Sequence, residues 1–155
     1  MKYWMAGYVA ASMLLGENVW AETSGTKVSH AHEHKAPHNG TLIVLGKEFA
    51  HLELVLDPQQ NKVTGYILDG EAENPIRSAQ PDIAVDARVD GTTVSMILQA
   101  VEDPLTGEKV GSTSEFSGNS LALKGAGEFT GIVRKVTLKG QDFINVMFSF
   151  PEGNE

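Results

Sequence analysis

Cysteine is absent from all 155 residues, and this absence narrows the chemistry open to the chain. Without thiols there is no disulfide, no thiolate zinc finger, no iron–sulfur cluster and no cysteine nucleophile. Basic residues are also scarce, since 12 lysines and arginines stand against 20 aspartates and glutamates, for a formal net charge of −8. An acidic surface repels phosphate backbones, so we expect no nucleic-acid partner and favour cations instead.

The chain also lacks a long hydrophobic run, and its one apolar stretch lies at the N-terminus. Residues 1–21 combine Lys2, an apolar middle and the small-residue pattern Val19–Ala21. A membrane span needs about 20 consecutive apolar residues, and Gly16–Asn18 interrupt this stretch. The pattern predicts a signal peptide cleaved after Ala21, a periplasmic protein and no stable membrane insertion.

A polar leader, residues 22–39, follows the predicted signal peptide and shows no apolar periodicity, which predicts a flexible segment. It holds four of the five histidines in the chain, His30, His32, His34 and His38. In an extended chain, residues two apart point the same way, so three of these imidazoles can face one side. Imidazole binds Zn, Cu, Ni and Co, so the leader predicts capture of a divalent transition-metal ion. The alternative is a solvated linker with incidental histidines.

No arrangement of catalytic residues can be recognised. A zinc-protease His-Glu-x-x-His motif that started at His32 would need a histidine at position 36, which is Ala36. There is also no glycine-rich phosphate loop that precedes a helix. We therefore expect a protein that is not an enzyme.

Residues 40–151 alternate apolar and polar side chains with a period of two, which is typical of half-buried strands. About seven such runs recur at roughly ten-residue spacing, separated by turn-forming residues. This pattern predicts an all-β domain, a single antiparallel β-sandwich of the immunoglobulin-like or a related type. The segment from Glu102 to Ser120 is rich in Gly, Ser and Thr and predicts a loop.

His51 lies inside a predicted strand, and Glu53 shares its face. A two-residue hairpin at Gly46–Lys47 would pair Leu42 with His51 and bring His38 to the same face. This register predicts a metal site formed by His38 and His51, in which Glu53 is a third ligand or supports a ligand. The alternative is a half-buried His51 that is hydrogen-bonded to Glu53.

Three segments carry a resemblance to a known family: Pro37–Thr41 (Pro-His-Asn-Gly-Thr), Glu48–Val55 and Tyr66–Asp69. Together they resemble the small His-Gly-Gly domain at the N-terminus of some adaptor (membrane-fusion) subunits of heavy-metal efflux pumps, and its free-standing secreted relatives. Asn39 stands where that pattern has its first glycine. The resemblance covers residues 37–70 and implies metal handling centred on His38, with an efflux adaptor as a candidate partner.

Two functional classes follow from these observations. The first is a periplasmic accessory protein that binds a divalent transition metal, chaperone-like, for heavy-metal efflux or homeostasis. The second is a non-catalytic interaction module of the cell envelope, whose histidines are incidental.

Overall fold

The structure, a computed structural model, describes residues 34–154, in which eight antiparallel strands alternate with turns. The strands are β1 (Thr41–Leu45), β2 (Ala50–Asp57), β3 (Lys62–Asp69), β4 (Asp82–Val89), β5 (Thr92–Ala100), β6 (Glu115–Asn119), β7 (Phe129–Leu138) and β8 (Gln141–Phe150). Within this range a 3-10 turn, Leu121–Leu123, is the sole helical element, and no helix has the length and apolarity to cross a membrane. The predicted signal peptide lies outside the described residues, as do His30 and His32.

All eight strands belong to one sheet with the order β1-β2-β3-β6-β5-β4-β7-β8, which curls until it is nearly closed, like a barrel. The prediction of an all-β antiparallel fold is confirmed, with eight strands in place of about seven. The additional strand is β6, which lies in the segment predicted to be a loop. Its sequence, EFSGN, has a single large apolar residue, Phe116, so no alternation marks it. Pairing with β3 on one side and β5 on the other makes it a strand.

The core lies inside the curved sheet, where the predicted alternation holds. Ala50, Leu52 and Leu54 of β2 point into it and are buried. The opposite face of β2 departs from the usual pattern, because His51 and Glu53 there are also 0% exposed. β2 is therefore covered on both faces. Its outer face is unusual because it buries a histidine and a carboxylate.

The hairpin between β1 and β2 is longer than predicted. A four-residue connection, Gly46–Phe49, replaces the two-residue turn, and Leu42 pairs with Glu53 instead of His51. The Phe49 N–H donates to the Leu45 carbonyl to close this connection. The register is shifted by two residues, so every side chain keeps its predicted face.

Gly153 and Asn154 cover the edge of β1. The Asn154 side chain accepts a hydrogen bond from the Val44 N–H at 2.7 Å and donates one to the Val44 carbonyl at 3.3 Å. One side-chain amide thus replaces the peptide group of a neighbouring strand. Gly153 has φ +91°, and a Cβ there would lie 2.2 Å from the Leu42 carbonyl oxygen, so the tail reaches β1 because this residue is glycine.

We expect Asn154→Ala to lower the free energy of unfolding by about 1 kcal/mol, because both hydrogen bonds to Val44 are lost at a sheet edge. Urea denaturation measures this change. Glu152→Ala, a neighbouring exposed position, is the control and should leave the unfolding midpoint unchanged. Equal free energies of unfolding for the two variants would show that the Asn154 side chain does not stabilise the β1 edge.

Candidate metal centre

The outer face of β2 carries the candidate site, and residues just before β1 contact it. His38 bonds to Glu53, and the ring of His34 lies beside that of His51. Strand geometry sets this arrangement, since residues two apart on β2 point the same way. The site therefore consists of two pairs, each joining one leader histidine to one residue of β2.

The Glu53 carboxylate binds the leader through three hydrogen bonds. Its Oε1 accepts from the backbone N–H groups of His38 and Gly40, both at 2.8 Å. Its Oε2 lies 2.7 Å from Nδ1 of the His38 ring. Because an ionised carboxylate can only accept hydrogen bonds, this contact assigns the proton to Nδ1 and, in the neutral ring, the lone pair to Nε2.

Tyr66 fixes the plane of the His38 ring. The two rings stack with centroids 3.8 Å apart and planes 16° apart, and Tyr66 is the partner of Glu53 across β2 and β3. Burial raises the pKa of the Tyr66 phenol, and the negative charges of Glu115 and Glu53 raise it further. The Tyr66 phenol is therefore neutral at neutral pH. Although Tyr66 stacks on it, the His38 side chain keeps 43% of its surface exposed.

His51 is held in one tautomer by the end of β3. Its Nδ1 lies 3.0 Å from the Asp69 carbonyl oxygen, and a carbonyl can only accept, so Nδ1 carries the proton. The Asp69 carboxylate in turn binds the following loop, accepting from the Glu73 N–H and from the Asn74 backbone and side chain. These hydrogen bonds lower the pKa of Asp69, with the Asn74 side chain as the largest cause. In the neutral His51 ring, the lone pair is again on Nε2.

The rings of His34 and His51 lie 4.9 Å apart between centroids, at an angle of 60°, and both Nε2 atoms are buried. Two imidazoles that bind one ion at about 2.1 Å with tetrahedral geometry have centroids about 5 Å apart. The observed separation therefore suits two ligands of a single transition-metal ion.

The structure pairs the predicted site residues differently from the sequence expectation. Glu53 contacts His38, whereas His51 bonds to the Asp69 carbonyl and lies beside His34. Within residues 34–154, no three His, Asp or Glu side chains form a complete metal site. His30 and His32, the other predicted ligands, lie outside that range.

Sequence reasoning did not assign roles to Tyr66 and Asp69. Tyr66 stacks on one histidine, and the carbonyl of Asp69 holds another. Both belong to the third segment of the family resemblance, Tyr66–Asp69, which was the one available signal. A backbone carbonyl leaves no mark in the sequence, so its role had to come from the structure.

No family model matches the chain, and no curated protein or solved structure is significantly similar to it. The resemblance to the efflux-adaptor domain stays a prediction, and function is inferred from the chemistry of this site.

We expect Glu53→Gln to reverse the tautomer of His38. The glutamine oxygen can still accept from the two backbone N–H groups, but its NH₂ would then donate to Nδ1 and leave the ring proton on Nε2. Nitrogen NMR of the imidazole rings at pH 8 measures this change, and we expect stability to fall by about 1–3 kcal/mol. Glu48→Gln, at an exposed position, is the control. Retention of the Nδ1 proton in Glu53→Gln would contradict the assignment.

We expect Asp69→Asn to lower stability at pH 7 by about 0.5–1 kcal/mol, because the charge-assisted hydrogen bonds to the loop weaken. The pKa of Asp69 is lowered in the folded protein, so this contribution is present above the ordinary value of 3.8 and is lost as pH falls through the folded pKa. The difference between the two proteins should therefore shrink below about pH 4 in urea denaturation. Asp82→Asn is the control, because the Asp82 carboxylate makes no hydrogen bond within residues 34–154. The stability difference between this variant and the wild type should not shrink at low pH.

Proposed function

We propose that the protein binds a divalent transition-metal ion (Zn, Cu, Ni or Co) through leader histidines and β2, as an exported accessory protein in heavy-metal homeostasis or efflux. The observation that carries this proposal is the His34–His51 pair. Its ring separation of 4.9 Å suits one shared ion, and the Asp69 carbonyl orients His51 so that Nε2 holds the lone pair. In metal-binding histidines, the ring nitrogen that does not bind the metal regularly donates its N–H to a carbonyl or carboxylate, which fixes the tautomer.

The chain itself offers the further ligands. His32 precedes His34 by two residues, a length of chain that spans at most about 7 Å. A third imidazole can therefore reach an ion bound by His34 and His51, and His30 lies only two residues further along the chain. Nitrogen ligands without thiolates favour borderline ions such as Zn, Cu, Ni and Co over Mg and Ca.

His38 adds a more accessible imidazole to the same face. Glu53 orients this ring as a carboxylate orients a zinc-bound histidine, with Nε2 as the nitrogen that carries the lone pair. Since the His38 side chain is 43% exposed and the Nε2 atoms of His34 and His51 are buried, we assign His38 to the entry of the ion. The same Glu53 contact also stabilises the leader on the sheet.

Titration calorimetry of the full exported protein with ZnCl₂, CuCl₂, NiCl₂ and CoCl₂ tests the proposal. We expect saturable binding of at least one ion, weakened tenfold or more by His34→Ala and unchanged by the adjacent control Lys35→Ala. The double variant His34→Ala/His51→Gln should lose little more than the single one, because two ligands of one ion act as a unit. Affinity should be lower in acid than at neutral pH, because a protonated imidazole nitrogen cannot bind a metal ion.

Two results would contradict the proposal. One is His34→Ala protein that binds as tightly as the wild type while its circular dichroism is unchanged. The other is wild-type protein that binds none of the four ions at neutral pH. The second result would leave the envelope interaction module as the function that the sequence supports.

A further inference from the structure

A second concave site lies on the outer face of β4, β7 and β8, next to the chain end, and includes none of the described histidines. Its volume is about 660 Å³, within the range of about 300–1,000 Å³ that is usual for small-molecule sites. We propose that this groove binds an organic anion with an apolar chain, with the carboxylate at Arg88 and the chain over Ile132 and Met147.

The strand register places a polar row across the groove. Arg88 of β4 lies between its partners Thr93 of β5 and Thr130 of β7, and Thr130 is in turn paired with Ser149 of β8. All four residues line the groove. A guanidinium flanked by three hydroxyls presents only groups that can donate to a carboxylate, which is the arrangement that recognises an anion.

The next row along the same strands is apolar at its β7 and β8 positions. Asp86 is paired with Ile132, and Ile132 with Met147. Met147 is 70% exposed, so its side chain is accessible to a ligand. Its flexible thioether is well suited to contact with an apolar chain. An anion that is bound at the first row would extend its chain over Ile132 and Met147 in the second.

The groove contains two arginines, of which, among the residues that the structure describes, Arg134 is paired with a carboxylate and Arg88 is not. Arg88 is therefore the one that can bind the ligand's carboxylate. Arg134 forms a salt bridge with Asp86 and donates to the Asn145 side chain. Asp86 also accepts from the Ser95 hydroxyl at 2.6 Å, and both contacts lower its pKa, so it stays ionised and paired with Arg134. Arg88, by contrast, has no carboxylate within salt-bridge distance among residues 34–154, and its charge is the one that a ligand can neutralise.

Carboxylates lie beyond Arg88 on the side away from Ile132. Glu128 and Glu152 line a smaller opening there, which also includes Arg88, and they would repel an anion. The carboxylate is therefore confined to the side on which Ile132 and Met147 lie. With a net charge of −8 over the whole chain, the protein attracts anions only where a local cation faces them.

Decanoate is the probe for this proposal, and a methionine methyl group is the readout. In full-length protein labelled at the methionine methyl groups, decanoate should shift the Met147 resonance saturably. Met96, 6% exposed on the inner face, should not move, and Met147→Leu assigns the resonance. Arg88→Gln should weaken decanoate binding about tenfold or more. Arg77→Gln, which removes the same charge at a site paired with Glu108, should not.

Glu152→Gln supplies a second variant of opposite effect, because removal of a nearby negative charge should tighten decanoate binding. An unmoved Met147 resonance would overturn the proposal, as would equal effects of Arg88→Gln and Arg77→Gln. Equal binding of decyltrimethylammonium would also overturn it, since the groove would then be apolar without selection for anions. Line broadening of Met147 that rises with protein concentration in the absence of decanoate would assign the groove to a second copy of the chain instead.

Discussion

The burial of one carboxylate, that of Glu53, on the outer face of β2 governs the arrangement of the candidate site. A buried charge is unfavourable by several kcal/mol unless hydrogen bonds replace its water. Glu53 gains these bonds from the backbone of His38 and Gly40 and from the His38 ring, all contributed by the segment before β1. The carboxylate therefore holds this segment on the sheet, and His34, four residues before His38, lies beside His51 as a result.

The segment before β1 lies so close to β2 that position 40 has room only for glycine. A Cβ on Gly40 would lie 2.6 Å from the Leu54 carbonyl oxygen and 2.8 Å from both Glu53 Cγ and Val55 Cγ2, so a larger residue would push the segment off β2. Asn39 has φ +56°, a conformation that asparagine adopts more readily than most residues, so it suits the turn before Gly40. Asn39 and Gly40 thus each have a structural reason that is independent of any metal.

Local patterns predicted the strands, while contacts distant in the chain determined the site. Alternation along β2 correctly placed Leu52 inside and Glu53 outside, because the period of a strand is fixed by backbone geometry. It could not show that the outer face is buried, since the covering segment has no periodicity of its own. For the same reason β6 was missed, and His34, in a leader that sequence alone treats as solvated, was not paired with His51. The sequence placed Glu53 beside the histidines, either as a ligand or as a support for one, or bonded to His51, whereas the structure bonds it to His38.

In the proposed function, folding and ion binding would use opposite faces of the same strand, and this would separate their energetics. The apolar core inside the sheet includes Leu52 and Leu54 and is complete without the histidines. An ion bound by His34 and His51 would therefore stabilise the fold only through its affinity, by RT ln(1 + [M]/Kd). A zinc finger, which has too small a core to fold without metal, behaves in the opposite way. Because the core does not include the histidines, the fold would persist after an ion is released.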